Sequence, residues 1–319
     1  MSNLLHIVVS ILFAGVLSLI LGYLFIGYGV RFVRSRVREY TPERHQSKNN
    51  TPTMGGIFML AALLIGVLIS GYSIQPAVIM TLLGTLGYGV IGFMDDWYKI
   101  TAQKGVTART KFIAQWLVAG FIALGLVYWA GISTDLVIPG LGILLPLGLA
   151  YIPWIMFVIV STSNAVNLTD GLDGLAATVL VPNMLFFSLC LFYQGAMGLV
   201  YLGMIAIGAL LGFLKYNWHP ARVFMGDVGA LSFGALYALL AIQSGYELLI
   251  PLVGIIFLLE ELSVILQVAS MKLRKKRIFK MAPIHHHFEL SGWSEIAIVG
   301  LFGTVSIIMA TICLFVFIK

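Results

Sequence analysis

The sequence predicts an all-α integral membrane protein of ten transmembrane helices, with both termini extracytoplasmic and an active-site cleft on the cytoplasmic face. Three observations predict it. Of 319 residues, 60% are hydrophobic and only 10% charged, with a mean hydropathy of +1.00, whereas soluble domains carry about 25% charged residues. Ten runs approach the length of about 20 apolar residues that crosses a bilayer core. Nearly all basic residues fall in every second connection between those runs.

In chain order the runs cover residues 4–26, 54–71, 75–93, 111–130, 145–162, 174–193, 196–214, 228–243, 248–270 and 295–318. The first is read as a retained helix rather than a signal peptide, because Arg31, Arg34, Arg36 and Arg38 follow it and no small-residue cleavage site is evident. The odd connections hold six, four, none, two and six Lys/Arg, eighteen of the nineteen in the chain, leaving Lys319 opposite. Positive charge accumulates on the cytoplasmic side, so the odd connections are assigned there. A helix count shifted by one would destroy this separation. The even connections are short and nearly uncharged; the one at 131–145 contains Val137-Ile-Pro-Gly-Leu-Gly-Ile-Leu, which suits a small outer-surface β-hairpin. No repeat, linker or low-complexity tract divides the chain, so one membrane domain is expected. Cys190 and Cys313 lie inside apolar runs and read as packing residues.

Five of six aspartates, Asp95, Asp96, Asp170, Asp173 and Asp227, fall at ends of runs assigned to the cytoplasmic face. Carboxylates gathered beside a bilayer are costly unless they hold a cation or handle a proton. Asp95-Asp96-Trp-Tyr-Lys99 closes the third run; the pair repels itself unless a divalent cation, Lys99 or Lys111 neutralises it. An interfacial stop signal with Trp97 and Tyr98 as belt aromatics accounts for it equally well. Asn164-Ala-Val-Asn167-Leu-Thr-Asp170-Gly-Leu-Asp173-Gly-Leu opens the sixth run, where polar groups at steps of three could line one wall. Capping needs one such residue, not four, and the ligand spacing of a calcium loop is missing.

Asn217-Trp-His-Pro-Ala-Arg-Val-Phe224-Met-Gly226-Asp227 precedes the eighth run. Asp227 suits a cap or a hard-metal ligand equally, Gly226 permits close backbone approach, and Phe224 offers a face to a base. Pro283-Ile-His285-His286-His287-Phe-Glu-Leu-Ser-Gly-Trp293 lies in the last odd connection. Three successive histidines are not spaced for zinc but suit hydrogen bonds to phosphate oxygens. The basic stretch from Lys272 to Lys280 reads as a membrane-surface anchor. Glu260-Glu261, near the middle of the ninth run, requires either an interior-facing helix or a broken one. Acids, lysines, asparagines and histidines on one face beside apolar helices fit Mg²⁺ and phosphate binding, which points to phosphoryl transfer onto a lipid.

At these residues the chain resembles the polyprenyl-phosphate N-acetylhexosamine-1-phosphate transferase superfamily. Asp95-Asp96-x-x-Lys99, Asn167-x-x-Asp170-Gly-x-Asp173-Gly-Leu and Phe224-x-Gly226-Asp227 occur in that family's order. The triple-histidine stretch and Pro52-Thr53-Met54-Gly55-Gly56 resemble the branch that transfers phospho-MurNAc-pentapeptide, and the likeness spans nearly the whole chain. It implies transfer from UDP-MurNAc-pentapeptide to undecaprenyl phosphate, releasing UMP and forming lipid I for peptidoglycan, in a bacterial cytoplasmic membrane and with Mg²⁺ as cofactor.

Carried over, Asp227 is the principal Mg²⁺ ligand with Asp95 and Asp96 near it, and Lys99, Lys111 and His285 join them as catalytic residues. Lys48, Thr53, Asn167, Asp170, Asp173, Asn217, Phe224, Gly226, Gln267, His286 and His287 become substrate-binding. A bent ninth helix, broken near Glu260, would border a polyprenyl groove, and homodimers occur in the family. Adjacent carboxylates beside basic residues lead us to expect direct attack by a lipid phosphate that Asp95 orients or deprotonates; the competing route is a covalent aspartyl intermediate. Two other functions compete. UDP-GlcNAc as donor is disfavoured by the histidine stretch, and cation-coupled transport by the placement of ionisable groups at one face rather than the midplane.

Overall fold

A computed structural model describes residues 2–28, 51–72 and 74–317. Twelve α-helices and one two-stranded hairpin make up these residues, in the order α1 (Ser2–Tyr28), α2 (Gly56–Ser70), α3 (Pro76–Thr101), α4 (Ala108–Tyr128), β1 (Asp135–Ile138), β2 (Ile143–Pro146), α5 (Tyr151–Thr169), α6 (Leu175–Tyr193), α7 (Met197–Asn217), α8 (Gly226–Ser244), α9 (Ile250–Val253), α10 (Ile255–Arg274), α11 (Ile284–Glu289) and α12 (Glu295–Phe317). Among the described residues, eight helices are long and apolar enough to span a membrane, and a ninth span results if α9 and α10 count as one broken helix. The apolar α2 has only 15 residues. That length rises about 22 Å, short of a hydrocarbon core of about 30 Å.

The helices α7 and α8 are buried along most of their length and form the centre. Around them pack α1 and α6 against α7, and α3 and α5 against α8. Small residues make the closest approaches. A Cβ placed on Gly92 of α3 would overlap the Asp227–Val228 backbone of α8, and one on Gly56 of α2 would overlap Gly229. Lipid gives packed helices little hydrophobic reward, so backbone contact of this kind holds them together.

The hairpin pairs Asp135 with Pro146 and Ile138 with Ile143, and Gly140 and Gly142 take the left-handed conformations that its turn requires. It consumes residues that an apolar count assigns to the fifth helix. That helix therefore starts at Tyr151 and runs on to Thr169. The third helix likewise continues past 93 to Thr101, carrying Asp95 and Asp96 within its last turns. Hydropathy windows lose a helix where it turns polar, although its backbone hydrogen bonds continue.

The ninth run is broken and also faces inward. An 82° bend separates α9 from α10 at Gly254, three residues after Pro251 and six before Glu260. The expected break near Glu260 is thus displaced, and Glu260 itself is fully buried within α10. Both cysteines are free and buried.

Candidate active site

The C-terminal end of α3, the N-terminal ends of α4 and α8, and the C-terminal end of α5 meet at the end of the bundle opposite the hairpin. Asp95 and Asp96 come from α3, with 4% of each exposed. The Nζ of Lys99 stands 2.9 Å from Asp95 Oδ2, 3.4 Å from Asp96 Oδ1 and 2.9 Å from Asp227 Oδ1. Lys111, at the start of α4, lies 3.3 Å from Asp95 Oδ2 and also pairs with Asp227 Oδ2. Two ammoniums are thus held among three carboxyl groups. Backbone groups fix the acids: Val106 N–H donates to Asp95 Oδ1 at 2.7 Å, and Val228 N–H to Asp96 Oδ2 at 3.2 Å.

Asp227 is a first-turn residue of α8 and makes no side-chain cap. Its carboxylate faces the lysines instead. The donor set consists of oxygens, which suits a hard cation such as Mg²⁺. Asp95 and Asp227 come within hydrogen-bonding reach of each other, with both lysines shared between them. Among the described residues, three donor atoms within 4.8 Å of one another belong to Asp173, His219 and Glu295.

A second layer comes from the opposite end of the chain. Phe224 N–H donates to Pro52 C=O at 2.8 Å, Gly55 N–H to Phe224 C=O at 2.9 Å and Gly56 N–H to Met225 C=O at 3.0 Å. This pairing brings Thr53 beside Gly226, which has φ +71°. A Cβ there would stand 2.5 Å from Asp96 Oδ2 and 3.0 Å from Thr53 Oγ1. Glycine answers both the left-handed backbone and the lack of room. The Gly226 N–H donates to Asp170. Burial, reinforced by the nearby charges of Asp227 and Asp96, pushes the Asp170 carboxyl up to about 8.

The expected wall of Asn164, Asn167, Asp170 and Asp173 is not one helical stripe. Helix α5 ends at Thr169 and α6 begins only at Leu175, so the step-of-three spacing is carried by a helix end and a turn. Asn164 is spent on α4, with its Nδ2 2.9 Å from Gln115 Oε1. Asn167 is half-buried in the last turn of α5. Asp173 Oδ2 lies 2.9 Å from His219 Nδ1 and accepts Ala221 N–H at 3.0 Å. Asn217 braces the same loops, accepting from Gly174 N–H at 3.0 Å and donating to Val223 C=O at 2.9 Å. Phe224 is half-buried.

The histidines form a short helix, and each has a different neighbour. His285 Nδ1 is 3.0 Å from Glu260 Oε1, His286 Nδ1 is 2.6 Å from Glu289 Oε2, and His287 Nδ1 accepts from Lys280 N–H at 3.1 Å. His285 reaches the turn after α5, since a Cβ on Gly171 would overlap its imidazole. Gln267 Oε1 accepts Ile278 and Phe279 N–H at 3.0 Å each, clamping the basic connection. Lys48 lies outside the described residues.

Several polar residues carried no legible signal. His219 and Glu295 emerge only from loop packing, with Nδ1 to Oε2 at 2.8 Å. Glu247, 3% exposed at the hairpin end, accepts from Tyr151 Oη at 2.7 Å and Trp154 Nε1 at 3.3 Å.

Helices of membrane-spanning length and an end-on cluster of acids, lysines and histidines suit a polytopic membrane enzyme that handles phosphorylated substrates. Residues 78–245 match the model for glycosyl transferase family 4. Residues 48–60 match phospho-N-acetylmuramoyl-pentapeptide-transferase signature 1. A phospho-N-acetylmuramoyl-pentapeptide-transferase of Thermoanaerobacter sp. (strain X514) is 46% identical over 95% of this chain and 96% of its own length. One from Halalkalibacterium halodurans is 40% identical over 97% of each chain, and one from Staphylococcus epidermidis is 43% identical over 88% of this chain and 89% of its own. The chain belongs to the phospho-N-acetylmuramoyl-pentapeptide-transferase family.

Proposed function

We propose that the protein transfers phospho-MurNAc-pentapeptide from UDP-MurNAc-pentapeptide to undecaprenyl phosphate, forming lipid I and releasing UMP in bacterial peptidoglycan synthesis. The observation that carries the reading is the arrangement of Lys99 and Lys111 among Asp95, Asp96 and Asp227, beside apolar helices. Its acids can orient a phosphate nucleophile, and its lysines can offset charge on phosphoryl oxygens. The relatives' name selects the muramoyl-pentapeptide donor over UDP-GlcNAc.

In this reading ten spans, counting α2 and the α9–α10 pair, put both termini outside and the site at the cytoplasmic surface. Asp95 orients undecaprenyl phosphate or takes its proton, and the lipid phosphate oxygen attacks the β-phosphorus directly. Lys111 and Lys99 offset the charge that develops on departing UMP. Asp227, with Asp95 and Asp96 at hand, is the residue set that would hold Mg²⁺, whose chemistry there is Lewis-acid polarisation of phosphoryl oxygens. Asp170, Asp173, Asn167, Phe224, Gly226 and Thr53 border the nucleotide, joined by Asn217, Gln267 and Lys48. His285, His286 and His287 face the pyrophosphate and sugar. The groove beside the bent α9–α10 pair receives the polyprenyl chain, and the working unit is a homodimer.

The test incubates detergent-purified protein with Mg²⁺, polyprenyl phosphate and either UDP-MurNAc-pentapeptide or UDP-GlcNAc, measuring UMP. Release only with the muramoyl donor and the lipid is expected. Release with neither donor overturns the reading, and stoichiometric release without lipid, with label on Asp95 or Asp96, replaces direct attack by a covalent intermediate.

A further inference from the structure

Glu260 and His285 make a buried dyad, with 0% and 1% of each exposed. Both oxygens of Glu260 face His285. Its Oε1 lies 3.0 Å from Nδ1 and its Oε2 accepts the backbone N–H at 3.4 Å. A carboxylate only accepts hydrogen bonds, so the ring nitrogen it faces must carry the hydrogen. In the neutral imidazole that leaves the lone pair on Nε2, which is buried, has no hydrogen-bond partner among the described residues, and lies against Gly171 in the turn between Asp170 and Asp173.

A buried polar atom of this kind is costly until a partner reaches it. Second-layer carboxylates commonly fix a histidine's tautomer and orientation while its other nitrogen does the work. We infer that Glu260 is a positioning residue: it holds His285 as the Nδ1–H tautomer, so that Nε2 accepts a hydrogen bond from an O–H or N–H group of the bound amino-sugar nucleotide. The inference rests on the proposed donor substrate, although the tautomer itself does not. It also accounts for a carboxylate in the middle of an apolar run, since Glu260 satisfies two donors that α11 brings to α10.

Glu260→Gln separates this role from mere packing. An amide has one acceptor oxygen for two donors, and its NH₂ facing Nδ1 drives the ring hydrogen to Nε2. The measurement is ¹⁵N NMR of histidine-labelled full-length protein, with His285 assigned by difference against His285→Gln, alongside equilibrium binding of UDP-MurNAc-pentapeptide. Expected are an Nδ1–H signal in the wild type, its loss in Glu260→Gln, and a Kd about tenfold higher in that variant with UMP affinity unchanged. An unchanged His285 signal in Glu260→Gln overturns the inference, as does a shifted signal with unchanged donor affinity. If Glu260→Gln fails to fold, Glu260→Asp takes its place: its shorter carboxylate cannot reach both donors, and the same two readouts decide. Wild-type protein that never releases UMP would sink the transferase reading alone, because the NMR signal needs no turnover.

Discussion

Replacing Gly92 with alanine tests whether the close approach of α3 and α8 sets the catalytic geometry. The new methyl would stand 2.6 Å from Val228 N and closer still to the Asp227 carbonyl, both of them backbone atoms that cannot rotate away. Ordinary van der Waals contact begins near 3.4 Å, so the helices must part by about 0.8 Å or more, at a cost of about 1–3 kcal/mol for overpacking. The Val228–Asp96 hydrogen bond, now 3.2 Å, would open to about 4 Å, beyond hydrogen-bonding range. Asp227 would also leave Lys99. A displacement of about 1 Å in a positioned group can cost about 10²-fold in rate. UMP release and thermal unfolding in detergent should therefore show kcat/KM reduced by about 10²-fold while the protein remains folded. Gly300→Ala on α12, where an added methyl meets nothing within 4 Å, is the control. Gly92→Ala with the kinetics and melting point of that control would refute the role given to helix proximity.

Asp227→Asn removes a charge shared by both lysines and should lower kcat by about 10²–10³-fold without unfolding the protein, measured by UMP release and gel filtration. Asp170 gives a pH signature in protein freed of divalent ions. Its folded-state pKa of about 8 lies above the ordinary 3.8, so its contribution to stability is full below about pH 4 and is lost as pH rises through about 8. Asp170→Asn should flatten the fall in melting temperature between those limits. Asp135, at the hairpin end and hydrogen-bonded to Ser133 at 3.2 Å, should be dispensable: Asp135→Asn should keep stability within about 0.5 kcal/mol and turnover unchanged.

Most of the long helices were legible because bilayer-length apolar runs and alternating Lys/Arg are strong signals. Their ends were not. Asp95, Asp96, Asn164 and Asn167 lie inside helices that the apolar count stopped short, since backbone hydrogen bonding continues after hydrophobicity fails. The hairpin showed through Pro139-Gly140, whereas the bend at Gly254 did not, a lone glycine three residues after proline being common in loops and helices alike. Within the site, the acids and lysines could be grouped by residue type and side of the membrane. The partners of His285, Asp173 and Gln267 could not, because Glu260, His219 and the backbone at 278–279 reach them by tertiary packing that no local spacing encodes.

The pairing of Pro52 and Gly55 with Phe224 joins segments about 170 residues apart. During synthesis, α2 and α3 enter the membrane long before α8 exists, so Asp95 and Lys111 can meet first without Asp227. An emerging chain therefore lacks the Asp227 part of this cluster. Cutting the gene anywhere before the codon for Asp227 should yield an inserted fragment with no transferase chemistry, and two fragments divided between α4 and α5 should regain it only when made together.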